Sequence, residues 1–114
     1  MSTLQEKKLL IDILNAVNSI DEHLESKRVF EEYLSNKTKR RAVERELEII
    51  GEAMTKLLKI NPSISISYSR LIVDLRNKVI HAYDNIDDIL IWKVIMKDIP
   101  VLKSEVEKLL SDEN

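Results

Sequence analysis

Hydrophobic residues recur at three- and four-residue intervals along most of this chain. The first series consists of Leu10, Ile13, Leu14, Val17, Ile20 and Leu24. It predicts an amphipathic helix over roughly residues 3–25. A short helical turn is expected between Ser26 and Asn36, around Phe30, Tyr33 and Leu34. The polar pair at residues 35 and 36 should end this turn.

A second and stronger series predicts a long helix over roughly residues 38–60. Its apolar positions are Ala42, Val43, Leu47, Ile49, Ile50, Ala53, Met54, Leu57 and Ile60. Gly51 lies in the middle of this helix, where a glycine costs on the order of 1 kcal/mol relative to alanine. We therefore expect another helix to approach closely at Gly51. Asn61 and Pro62 should end the helix, and residues 62–67 should form a loop.

The helical period returns at Tyr68 and continues to the C-terminal end. The polar residues 85–88 offer capping side chains for a further helix, whose run 89–96 is apolar on nearly all sides and therefore central or interfacial. Pro100 indicates a new first turn, which begins the last helix. Apolar positions on one side of that helix are Leu102, Val106, Leu109 and Leu110.

Composition supports an all-α fold. The chain has 114 residues, 44% of them hydrophobic, with one Gly and two Pro. Residues that end many short strands and tight turns are therefore scarce, whereas the length suffices for one buried core. We expect a single domain over residues 1–114, folded as a small up-and-down bundle of about five helices.

Several classes of function are disfavoured by the same composition. The chain has no Cys and two His, which is a poor basis for a zinc site or a thiol nucleophile, so we expect no metal and no cofactor. No apolar run reaches the roughly 20 residues of a membrane helix, and the N-terminus is too polar for a secretory signal. We expect a soluble cytoplasmic protein without a membrane partner.

The net charge of −2 does not suit a protein that coats nucleic acid by bulk electrostatics. A polyanion would have to be bound locally, and the best local cluster is Lys37, Lys39, Arg40, Arg41 and Arg45. Acidic neighbours follow at positions 44, 46 and 48, so the pattern by itself favours a solvated helix start with acidic neighbours over a binding site. The role of the stretch from Lys37 to Arg45 stays open at this point.

Groups suited to phosphate binding and proton transfer are concentrated between Arg76 and Tyr83. Arg76 offers a planar fork of donors, His81 exchanges a proton near neutral pH, and Asn77 and Tyr83 add neutral hydrogen-bonding groups. On an ideal helix Arg76 lies at the edge of the apolar face, about 140° from His81. A helix end, the reach of arginine or a second copy of the chain could bring the two groups together.

A buried arginine in this place would otherwise need a carboxylate, for which Glu52 and Asp74 are the possible partners. RNA cleavage without a metal requires an acid/base and a cation for the charged phosphorane, and His81 and Arg76 can fill these roles. One Arg, one His and one Tyr also occur together on helices without catalysis, so the residues alone leave both interpretations open.

Arg76, the polar Asn77, His81 and Tyr83 match the R-x4-H-x-Y motif, and in this the chain resembles the HepT-like toxins of the HEPN superfamily. The flanks agree: AVERELEIIGEA (residues 42–53) is similar to the long helix upstream of the motif, and IWKVIMKDIPVLKSEVEKLL (residues 91–110) is similar to the C-terminal helices. The resemblance implies a HEPN-like bundle that forms a homodimer through the motif helix.

The resemblance also implies a function. It suggests the toxin of a toxin–antitoxin system, a metal-independent endoribonuclease with Arg76 and His81 as catalytic residues and Asn77 and Tyr83 in support. Its antitoxin would resemble a minimal nucleotidyltransferase that transfers AMP to Tyr83. An alternative is a non-catalytic helical binding module that partners such a nucleotidyltransferase.

Overall fold

The computed structural model describes residues 3–26, 28–67, 69–81 and 87–112, with the backbone alone at residues 70, 71 and 78–81. The helices in these ranges are α1 (Leu4–His23), α2 (Phe30–Ser35), α3 (Lys37–Ile60), α4 (Ser69–His81), α5 (Asp88–Lys93) and α6 (Ile99–Ser111). A π-helical turn, Val94–Asp98, joins α5 to α6. No strand occurs within the described ranges, which confirms the all-α prediction.

Polar side chains begin three of the helices at the predicted boundaries. The hydroxyl of Thr3 accepts a hydrogen bond from the backbone N–H of Glu6 at 3.1 Å and caps α1. The side chain of Asn36 caps α3, and that of Asp87 caps α5 by accepting from the N–H of Leu90 at 3.0 Å. Each cap satisfies a backbone donor that the first helical turn leaves free.

The hydrophobic core surrounds α3, which packs against α1 on one side and against α4 on another. α6 packs against α1, and the short α2 contacts the start of α3. Fully buried side chains at the centre include Leu10, Ile13, Ile20, Leu47, Ile50, Met54, Leu57, Ile91 and Ile95. Burial of each such side chain contributes about 1.5–3 kcal/mol relative to its exposure.

The sequence predicts a new helix at Pro100. In the structure, residues 88–111 form one helical run without an intervening loop. The N–H of Ile99 reaches back five residues to the carbonyl of Val94. Pro100 explains this wider turn, because its ring has no N–H and would collide with the carbonyl four residues earlier in a regular helix. With residues 88–111 counted as one helix, the described residues contain five, as predicted.

Only one side of the helical run 88–111 is buried in the core. Ile91, Val94 and Ile95 are buried, whereas Ile89 and Met96 are 60% and 41% exposed. Among the described helices, none is long and apolar enough to cross a membrane.

Candidate active site

Arg76 lies on α4 directly against α3, at Gly51. A Cβ added to Gly51 would overlap the Cβ of Arg76 and would lie 2.5 Å from its Cγ. The close helix approach predicted at Gly51 is therefore confirmed, and the group that approaches is the stem of Arg76. Since glycine leaves that space empty, α3 holds the aliphatic part of Arg76 in place.

The guanidinium of Arg76 has no acidic partner among the described residues. Glu52, one of its two possible partners, lies 3.6 Å from Lys56, and Asp74 is exposed and makes no ion pair with Arg76. Nη1 of Arg76 donates to Oδ1 of Asn77 at 3.4 Å, which is the long limit of a hydrogen bond. Nε is buried and meets no acceptor there.

α4 has an apolar face and a polar face where its side chains are described. Ile72 and Leu75 are buried at 2% and 4% exposure. Asp74 and Asn77 are exposed on the other side. Asn77 thus stands at the solvent edge beside Arg76, where its amide can contact a bound group.

His81 is the last residue of α4. Its side chain, and all of Tyr83, lie outside the described residues. The helix advances about 1.5 Å per residue, so the backbone of His81 is about 7.5 Å beyond Arg76 along α4. The structure therefore fixes the start of the motif and the position of its histidine along the helix axis.

The basic stretch from Lys37 to Arg45 is mostly paired. Arg45 lies 3.2 Å from Glu48, and Nη1 of Arg41 contacts both carboxylate oxygens of Glu44 at 3.0 and 3.2 Å. Arg40 donates to the carbonyl of Leu34 and lies 4.0 Å from Asp88. The stretch thus connects α2, α3 and α5, which favours the internally paired alternative.

Glu44 was not singled out by its sequence context, yet its carboxylate is one of the few buried charges. The residue is 5% exposed. Burial raises the pKa of Glu44 above its ordinary value, because it disfavours the charged form, while Arg41 acts in the opposite direction. One signal was available in the sequence: Glu44 precedes Gly51 by seven residues, which places both on one face of α3.

An aromatic cluster near Glu44 was also not anticipated. The ring of Tyr33 lies 5.2 Å from that of Trp92, and the ring of Phe30 lies 5.7 Å from Trp92. Tyr33 is 1% exposed, and its hydroxyl has no hydrogen-bond partner among the described residues. Burial, followed by the charges of Asp88 and Glu44, raises the pKa of Tyr33 well above its usual range.

His23, the other histidine, is half-buried. Its Nε2 lies 2.8 Å from a carboxylate oxygen of Glu46. This local pair joins the end of α1 to α3 and accounts for the residue without a catalytic role. In the described part of the chain, no group of three His, Asp or Glu is arranged to hold a metal ion.

Comparison with known proteins identifies the family of the chain. The family model described as "Ribonuclease HepT-like" matches residues 13–109. A candidate RNase of Methanocaldococcus jannaschii is 40% identical over 111 residues, which cover 94% of this chain and 98% of the relative. A "Probable ribonuclease HepT" of Thermococcus cleftensis is 38% identical, over 90% of this chain and 94% of its own.

The likeness extends to bacteria, since a candidate RNase of Caldanaerobacter subterraneus is 32% identical over 96% of this chain and 89% of its own. The comparison with solved structures finds no match. The family model spans both α3, which carries Gly51, and α4, which carries Arg76. The chain belongs to the HepT-like ribonuclease family.

Proposed function

We propose that the protein is a metal-independent endoribonuclease and the toxin of a toxin–antitoxin pair. One observation carries the proposal: Arg76 is clamped against Gly51 while its guanidinium has no carboxylate within ion-pair distance among the described residues. A cation held at a helix edge without a protein counter-charge suits a phosphate, whose oxygens match the planar fork of arginine. Membership of a ribonuclease family supports RNA as the source of that phosphate.

The proposed reaction is an internal transesterification. His81 removes the proton of a ribose 2′-hydroxyl, the 2′-oxygen attacks the adjacent phosphorus, and the bond to the 5′-oxygen breaks. The leaving oxygen receives a proton from an acid, and the products are a 2′,3′-cyclic phosphate and a 5′-hydroxyl. Arg76 neutralises the charge of the phosphorane, and Asn77 orients a phosphate oxygen.

A homodimer through the motif helix is part of the proposal. Arg76 and His81 point in directions about 140° apart on an ideal helix, so two copies around one cleft can combine their groups. The apolar side chains of Ile89 and Met96, which follow the motif in sequence, are exposed and available for self-association.

Neutralisation by a nucleotidyltransferase antitoxin completes the proposal. The hydroxyl oxygen of Tyr83 would attack the α-phosphorus of ATP, lose its proton and release pyrophosphate. The attached AMP would bring negative charge to the region of Arg76 and occupy the site that RNA phosphate needs. Support for this step comes from the motif tyrosine and the family alone.

The test is RNA cleavage by the purified wild type, with chelator present, beside Arg76→Ala and His81→Ala. His23→Ala is the matched control, because it removes the only other imidazole. We expect cyclic-phosphate products from the wild type and the control, and none from the two motif variants. A substrate with 2′-deoxyribose at the cleaved position should resist all four proteins.

A folded wild type that cleaves no RNA would overturn the nuclease and favour the non-catalytic binding module. A separate reaction with a nucleotidyltransferase antitoxin of this kind and ATP should add one AMP to the wild type and none to Tyr83→Phe. AMP found on the Phe variant would contradict the assignment of Tyr83.

A further inference from the structure

The helix that carries Arg76 has one extended packing partner among the described residues. α4 packs against α3, and the stem of Arg76 lies at Gly51, seven residues after the first residue of α4. A segment with few packing partners changes its position more easily than one enclosed on several sides. The direction in which α4 crosses α3 therefore depends on how the start of α4 is held.

A carboxylate of α6 holds the chain just before α4 begins. The two oxygens of Glu105 accept from the backbone N–H of Ser67 at 3.1 and 3.0 Å, and Oε2 also accepts from the Ser67 hydroxyl at 3.0 Å. Ser67 lies two residues before the first residue of α4. The partners are 38 residues apart in sequence, so this is a tertiary link and not a local cap. Since α6 packs against α1, the link ties the start of α4 to the part of the core that these two helices form.

The link between Glu105 and Ser67 fixes a direction as well as a distance. The described hydrogen bonds of Glu105 all go to Ser67. Hydrogen bonds to an ionised carboxylate are shorter and stronger than those between neutral groups. Two donors of one residue that meet one carboxylate hold that residue in a defined orientation. Ser67 is therefore oriented by α6, although it is exposed to solvent.

The loop 61–67, which follows α3, is itself tightly bonded. The N–H of Ile64 donates to the carbonyl of Asn61 at 3.2 Å, and the N–H of Ile66 donates to the carbonyl of Ile64 at 2.9 Å. The side chain of Ile66 is buried at 7% exposure. A loop with internal hydrogen bonds and a buried anchor has little slack to absorb a displacement. The orientation of Ser67 is therefore passed on to α4, which begins two residues later.

We propose that Glu105 is a positioning residue for the motif helix: by holding Ser67, it sets the direction in which α4 crosses α3. A tilt of α4 by about 10° around the contact at Gly51 moves the backbone of His81, about 7.5 Å from Arg76, by about 1.3 Å. A misplacement of about 1 Å can lower a rate about 10²-fold. The catalytic part of this inference rests on the proposed function, because two copies of α4 would form one cleft. The control of α4 by Glu105 does not.

The direction of α4 is testable without activity. Residual dipolar couplings of the backbone amides, measured by NMR on the full chain, give the angles between helices. In Glu105→Ala we expect the angle between α4 and α3 to change by about 10°, the tilt that moves the end of the motif by more than about 1 Å. The angle between α1 and α3 should stay the same. Glu107→Ala is the matched control, because it removes an exposed carboxylate from the same helix, and it should leave all three helices in place.

Two further variants separate positioning from a mere loss of stability. Glu105→Gln keeps an oxygen that accepts from the N–H of Ser67, so it should restore most of the wild-type direction of α4. Ser67→Ala removes the hydroxyl alone and should tilt α4 in the same direction by a smaller angle. It also serves as the test should Glu105→Ala fold poorly. An α4 that keeps its direction in the folded variants overturns the proposal and leaves Glu105 as a surface contact of the loop.

The catalytic arm compares kcat and KM for RNA cleavage. In Glu105→Ala kcat should fall about tenfold or more, while KM changes little because no group proposed to contact RNA is removed. Glu105→Gln should recover most of kcat, and Glu107→Ala should cleave like the wild type. An unchanged kcat in a variant whose α4 has tilted counts against the positioning role. A wild type that cleaves nothing would end the proposed function, while the dipolar couplings would still decide whether Glu105 sets the direction of α4.

Discussion

The arginines of α3 and Arg76 of α4 differ in how their charges are satisfied. Arg40, Arg41 and Arg45 each lie within 4.0 Å of a carboxylate on α3 or α5. Arg76 is held as firmly, through Gly51, yet its guanidinium contacts only Asn77 among the described residues. An arginine that is paired with a carboxylate of the protein is less available to a ligand. Of these four arginines, Arg76 is therefore the one best able to bind a phosphate.

Exchange of Arg76, which has no acidic partner among the described residues, should have the largest effect. Arg76→Gln removes the charge that we propose stabilises the phosphorane, so cleavage should fall by about 10²- to 10³-fold. Arg45→Gln, the control on the paired side, should cleave like the wild type. Initial rates on one labelled RNA provide the comparison, and the unfolding free energy of each variant verifies the fold. Full activity in a folded Arg76→Gln protein would reduce Arg76 to a packing residue.

The clamp itself can be disturbed at Gly51. Gly51→Ala adds a methyl group where the stem of Arg76 lies, so α3 and α4 must separate. We expect the free energy of unfolding to fall by about 1–3 kcal/mol through overpacking, although alanine favours the helix by about 1 kcal/mol. Urea unfolding measures the change, and the exposed Lys56→Ala should stay within about 0.5 kcal/mol. A Gly51→Ala protein more stable than the wild type would contradict the close contact.

The paired arginines should differ among themselves as well. Arg41→Ala leaves Glu44 buried without its ion-pair partner, whereas the partner of Arg45, Glu48, keeps 29% of its side chain exposed. The free energy of unfolding should fall by about 1 kcal/mol for Arg41→Ala and by less than about 0.5 kcal/mol for Arg45→Ala. Equal losses in thermal or urea unfolding would show that burial of Glu44 does not distinguish the two pairs.

The smallest effect concerns the pH dependence of stability. Burial raises the pKa of Glu44 above its ordinary value of 4.5, so between the unfolded and folded pKa values the folded chain binds more protons than the unfolded chain. The contribution of Glu44 to stability therefore falls as pH rises through this window and is constant above it. Relative to the wild type, Glu44→Gln should gain stability as pH rises from about 4.5. A parallel course of wild type and Glu44→Gln, followed by urea unfolding at a series of pH values, would refute the shift.

Most of the fold followed from local patterns. The apolar series at Leu10 to Leu24 and at Val43 to Leu57 predicted α1 and α3 closely. An amphipathic helix in a small protein buries its apolar face against the core, so the spacing of apolar residues indicates where the helix lies. The caps at Asn36 and Asp87 fell at the predicted boundaries. The continuous run through Pro100 was not anticipated, because a proline is typical of a new helix start, whereas here one wider turn accommodates its ring without ending the helix.

The candidate site was predictable only in part. Arg76 and Asn77 stand where the helical period places them, whereas Tyr83 and the side chain of His81 remain predictions. Glu44 and the buried Tyr33 could not be identified from a charge-rich stretch, because exposed and buried glutamates look alike in sequence. Burial depends on which helices cover a position, and α2 and α5 are far apart along the chain.

By itself, the sequence determined the helices, their polar and apolar faces, and the motif that carries the proposed chemistry, because these properties depend on residue type and spacing. Only the tertiary structure decided which charges are satisfied: it placed Arg76 against Gly51 without a described counter-charge, paired the arginines of α3, and buried Glu44. The physical reason is that ion pairing and desolvation depend on distances between helices, which local periodicity does not contain.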